Sequence, residues 1–189
     1  MDTYRVVLFV HLLSLLIGIG GAAVISICLF RLRAAQTLAD AAPWGMLAGQ
    51  TEKAFPVAIV GLFATGAYMT SDVWTWSTHW IEVSIVGLVL VTLQGPLVAG
   101  VRAHKLKQAL MENGPGPLGE KARRLASDPA LWTVSFANPG MVLGIVWNMT
   151  QKPGTWEAIA AIAGGYLVGA AIAYRFARVR AVEAAPAAA

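Results

Sequence analysis

The chain has 189 residues, 57% hydrophobic and 13% charged, with one cysteine and a formal net charge of +4. Soluble domains are about 45–50% apolar and about 25% charged, so the composition excludes both an ordinary cytosolic domain and a disordered chain. One cysteine excludes a disulfide framework and a Cys-rich zinc site. What remains is a small polytopic membrane protein.

A bilayer core of about 30 Å takes about 20 mostly apolar residues per helix. In chain order, residues 6–30 form a first span, interrupted only by His11, Ser14, Ser26 and small glycines, and ended by Arg31 and Arg33. It is too long for a signal-peptide core and lacks a positive n-region and an A-x-A cleavage pattern, so it reads as retained. Residues 36–53 mix Ala, Pro43, Trp44 and Gly45; a short interfacial helix and a plain connector both fit. The second span is expected at residues 55–71, with Pro56 in its first turn, and the third at residues 81–101, kinked at Gln94-Gly95-Pro96.

The third helix should run on to about Met111, turn at Asn113-Gly114-Pro115-Gly116-Pro117, and give way to a short helix from Leu118. Residues 131–149 make a weaker fourth span that contains Asn138-Pro139-Gly140, and residues 155–174 a fifth, ended by Arg175, Arg178 and Arg180. The Ala/Pro tail, residues 181–189, can bury nothing and is expected to be disordered. The expected fold is therefore all-α, a single five-helix transmembrane bundle over residues 1–180.

Lys and Arg set the orientation. With the N-terminus outside and the C-terminus in the cytoplasm, twelve of them fall on the inner side, and only Arg5 and Lys152 on the outer. Leaving out the weak fourth span would strand Arg175, Arg178 and Arg180 outside. The positive charge is thus a topology signal, and no nucleic-acid partner is implied. Trp74, Trp76, Trp80, Trp147 and Trp156 sit at outer span ends, as headgroup-level belts require.

Small residues four apart mark faces where membrane helices approach closely. They occur at Ser14, Gly18 and Ala22, at Gly140 and Gly144, and at Gly165, Gly169 and Ala173. These faces should meet one another, other membrane subunits, or a second copy of the chain.

An ionisable group inside a span is a functional signal by default. His11 lies about 10 Å inside the first span and shares a face with Ser14 and Gly18. His79 and Glu82, one turn apart, lie at the outer mouth of the third span. His11 and His79 could bind a cofactor, and His11, His79 and Glu82 could ligate a transition metal or serve a b-type haem. The plainer readings are a hydrogen-bonding strut at His11 and a solvated pair at His79 and Glu82. No nucleophile elbow, phosphate loop, dinucleotide fingerprint, HExxH or haem-attachment CxxCH is present.

Tyr4-Arg5-Val6-Val7-Leu8-Phe9-Val10-His11-Leu12-Leu13-Ser14, then Gly18, Gly20, Gly21 and Arg31, resembles the first helix of a family of small bacterial predicted integral membrane proteins of unestablished function. The resemblance continues at Phe55-Pro56 through Gly66, at Trp80-Ile81, and from Trp147 to Pro153; the last helix looks like an addition to the family's four. That family is similar in layout to HemJ-type protoporphyrinogen oxidases and to CopD-type copper-resistance membrane domains. The HemJ likeness implies b-type haem on His11. The lysine of that group is missing from Trp80-Ile81-Glu82-Val83-Ser84, which argues against protoporphyrinogen oxidation. The CopD likeness implies copper movement, but Met and His are sparse.

Two functions are expected to compete. One is a bacterial inner-membrane protein with a haem or metal site in its outer half, serving membrane redox chemistry or haem/metal handling. The other is a non-catalytic accessory subunit of a larger membrane complex, with the glycine faces as its working parts.

Overall fold

The structure, a computed structural model, describes the backbone of residues 2–183 and side chains as far as residue 176. The chain is 87% helix, without strands among the described residues. The helices are α1 Thr3–Ala34, α2 Leu38–Thr51, α3 Ala54–Val73, α4 His79–Gln94, α5 Val101–Glu112, α6 Glu120–Ala126, α7 Pro129–Gln151 and α8 Thr155–Glu183. Among the described residues, five stretches are long and apolar enough to cross a membrane: Thr3–Ala34, Leu38–Val73, His79–Glu112, Glu120–Gln151 and Thr155–Phe176.

The residue 36–53 segment is helical. Thr37 and Asp40 cap α2 reciprocally, each side chain taking the other's backbone N–H. The third helix does pass through its Gln94-Gly95-Pro96 sequence without ending. Gly95–Gly100 is a π-helical turn that joins α4 to α5. Pro96 supplies no N–H and its ring crowds the preceding turn, and widening that turn accommodates it. Helix α8 includes residues 181–183; the rest of the tail expected to be disordered, residues 184–189, lies outside the described residues.

The burial pattern is that of a protein whose surroundings are apolar. Phe9, Leu16, Val60, Leu97, Leu143 and Leu167 are exposed on the long helices, whereas His11, Ser14, Thr70, Ser84 and Asn148 are buried. In water this arrangement would forfeit the hydrophobic effect; in lipid, apolar side chains outside and polar ones inside satisfy both environments.

Helices α7 and α8 form the tightest pair. Their turn is closed by Lys152, whose backbone is left-handed at φ 51° and whose N–H bonds the Asn148 carbonyl at 2.9 Å. A Cβ at Gly140 would collide with the Gly165 carbonyl and one at Gly144 with the Ala161 carbonyl; at Gly169 it would strike that of Phe136. A Cβ at Gly165 would likewise meet the Gly140 carbonyl, so four glycines let two backbones touch along one antiparallel register, where dispersion replaces the missing hydrophobic drive. Ala173 is buried one turn beyond Gly169.

Helix α4 lies along this pair, with Gly87 opposite Ile145 and Ile162. Helix α1 instead runs against α3. Gly18 faces Ala58, Gly21 faces the Phe55 ring, and Gly61 leaves room for the Ser14 side chain. Ala22, half-buried on α1, accepts the Ser26 hydroxyl at its carbonyl at 3.0 Å.

The two groups of helices join at the arginine-rich end. Phe30 of α1 meets Trp132 and Phe176 edge-on, each at 5.0 Å. The Arg33 guanidinium lies 4.9 Å over Trp132 and donates to the Phe176 carbonyl at 3.1 Å. At the opposite, tryptophan-rich end, Trp74 meets Trp80 edge-on at 5.4 Å and carries the Lys152 ammonium 4.7 Å over its ring.

Candidate functional site

His11 is 5% exposed, held between α1 and α3. Its Nδ1 lies 2.8 Å from the Thr65 hydroxyl oxygen. That hydroxyl donates its own proton to the Gly61 carbonyl at 2.5 Å, one turn back on α3. With its proton committed there, Thr65 can only accept from the ring. That pairing favours the Nδ1–H tautomer of His11, with Nε2 as the nitrogen that carries the lone pair. The Leu62 carbonyl lies 3.4 Å from the same hydroxyl. Gly66 lies beside the ring edge, where a Cβ would make an ordinary 3.6 Å contact with Cε1.

This is the arrangement by which proteins prepare an imidazole ligand. One nitrogen donates to a fixed oxygen, which sets the tautomer and the ring plane, and the other nitrogen is presented. Thr65 is a residue that sequence reasoning missed. Its signal was available: a lone hydroxyl near the middle of the second span, at the depth His11 reaches when adjacent helices pair antiparallel.

His79 and Glu82 do contact each other, Nδ1 to Oε2 at 3.7 Å, but their side chains are 69% and 53% exposed on the first turn of α4. The structure does not bring them to His11. The level of His11 is that of Thr65, about 14 Å of helical rise from Trp74, the end at which α4 begins. No group of three or more His, Cys, Asp or Glu that could hold a metal ion occurs among the described residues.

A second polar seam lies between α4 and α7. Asn148, fully buried, donates from Nδ2 to the Ala158 carbonyl at 3.2 Å and stands 3.5 Å from the Ser84 hydroxyl. The same antiparallel register brings Gln94 to the level of Asn138. The side-chain oxygens of Gln94, Asn138 and Asn148 are all buried without a partner among the described residues. Such oxygens are costly in an apolar medium.

No protein-family profile, curated protein or solved structure matches the chain.

Proposed function

We propose that this chain is a multi-pass protein of the bacterial inner membrane, N-terminus outside and C-terminus in the cytoplasm, in which His11 would hold a b-type haem. It would serve membrane redox chemistry or haem handling. The observation that supports this reading is the 2.8 Å contact between His11 Nδ1 and the Thr65 hydroxyl, which favours a ring that donates from Nδ1 and offers Nε2 as the ligand atom.

The donor set favours haem over a bare metal ion. A tetrahedral or octahedral protein site needs three or more converging side chains, whereas a porphyrin brings four nitrogens and asks the protein for an axial one. His11 would supply that one nitrogen without His79 or Glu82. When bound, the haem would supply one-electron chemistry; the chain's part is to hold the His11 ring through Thr65 and to keep bulk water away.

The alternative, an accessory subunit joined through its glycine faces, has less surface to work with. Gly140, Gly144, Gly165 and Gly169 are occupied within the chain, and the Gly18 face is covered by α3.

The test is a visible spectrum and metal analysis of the gently solubilised protein. A Soret band lost in His11→Ala supports the reading. A colourless, metal-free protein that co-purifies in fixed stoichiometry with other membrane subunits overturns it in favour of the accessory role. Cysteine-accessibility labelling from each side of the membrane tests the orientation separately.

A further inference from the structure

At the arginine-rich end, remote from His11, a cavity of about 760 Å³ opens between α1, α2, α5 and α7. Its volume is in the range of pockets that hold a small ligand, ~300–1,000 Å³. Its walls and its rim differ in chemistry. Ile25, Leu29, Ala99, Leu131 and Ser135 line the part within the spans; Glu52, Lys53, His104 and Lys107 line the rim. Glu52 and Lys53 immediately precede the apolar run of α3, and His104 and Lys107 immediately follow that of α4 and the π turn. The rim therefore lies where lipid headgroups lie, and the apolar part where acyl chains lie.

The rim charges are unevenly matched. Lys107 is the electrostatic neighbour of Glu52, and Lys53 makes no ion pair among the described residues. A phosphate between the two lysines would complete the rim. The surrounding surface has the same sign: Lys105, Lys121 and Arg124 line a neighbouring pocket with Glu120 as its carboxylate. A soluble anion would satisfy the lysines but leave the apolar walls empty. A molecule with an anionic head and a hydrocarbon tail satisfies both.

We propose that this cavity is a binding site for an anionic phospholipid of the adjoining leaflet. Its phosphate sits at Lys53 and Lys107, and one acyl chain lies against Ile25, Leu29, Ala99 and Leu131. The site is independent of the haem reading at the other end of the bundle and of which way the chain faces. Binding would add to the contact that α2 and α5 already make through Ala41, Leu106 and Leu110.

The experiment is native mass spectrometry of the full chain in a mild detergent, titrated separately with phosphatidylglycerol, phosphatidylcholine and glycerol 3-phosphate. One phosphatidylglycerol should be retained about tenfold better than phosphatidylcholine. The double variant Lys53→Gln/Lys107→Gln should lose roughly that tenfold preference. Ala103→Phe, which fills the cavity and keeps both lysines, should lower retention of both lipids, and it carries the prediction if the double variant fails to fold. Equal retention of the two lipids overturns the proposal. So does full competition by glycerol 3-phosphate, which would mean a phosphate site and not a lipid site. A loss of retention caused instead by Lys121→Gln/Arg124→Gln would move the site to the neighbouring pocket and also overturn it.

Discussion

Gly140 and Gly165 face each other across α7 and α8 so closely that a Cβ on either would meet the other's carbonyl oxygen. The obstacle on each side is backbone, which cannot swing away as the end of a side chain can. Gly140→Ala should therefore lower stability by about 1–3 kcal/mol. Gly164→Ala, one residue from the seam with nothing within 4 Å of its added carbon, should cost nothing or stabilise slightly. Unfolding of the two variants in detergent, followed by circular dichroism, checks the contrast; equal stability would mean that the α7–α8 approach is not this close.

Thr65 should matter to His11 through geometry. Thr65→Val keeps the shape and removes the acceptor for Nδ1–H, so the ring loses its fixed tautomer. Haem affinity should fall roughly 10–100-fold, while His11→Ala should abolish binding. Titration of the purified apoprotein with haemin, read at the Soret band, separates the two. If Thr65→Val binds as tightly as the parent chain, the tautomer argument fails.

Asn148 is a donor in a place with no room for a charge. Asn148→Asp turns a donor to the Ala158 carbonyl into an anion that repels it, and should cost upwards of about 2 kcal/mol. Asn148→Leu should cost less, because the hydrogen bond is worth only about 0.6 kcal/mol in a membrane setting and the orphan Oδ1 disappears with it. The order of the two thermal midpoints is the readout. A milder Asp variant would contradict the burial of this side chain.

Gln94 makes the opposite prediction. Its Oε1 is buried and unpartnered, so Gln94→Leu removes a desolvated acceptor without breaking a bond. Stability should rise, by roughly 1 kcal/mol. A fall comparable to that of a core truncation would show that Gln94 has a partner, such as an ordered water shared with Asn138.

Much of the fold was legible in the residues. The lengths of the apolar runs, their ends at Arg31 and Arg175, and the turn at Asn113–Pro117 follow from local chemistry, because a bilayer forces each spanning segment to satisfy its own backbone. The Gly95-Pro96 pair likewise announced an irregular helix, although not that the turn would widen to π. The candidate site was half legible. A buried histidine on a small-residue face could be found by helical spacing, but its partner on α3 could not, since nothing local to His11 names Thr65.

What the sequence by itself determined is the membrane character, the five apolar stretches and the faces of small residues, all of which are properties of one helix at a time. Only the tertiary structure decided which faces meet, that Thr65 and not His79 or Glu82 lies beside His11, and that Gln94 and Asn138 share a level with their oxygens unpaired. The reason is physical. Lipid fixes what each helix must present outward through its side-chain chemistry alone, but the choice of neighbour and of register is set by close packing between backbones. Any one helix's sequence constrains that packing only from one side.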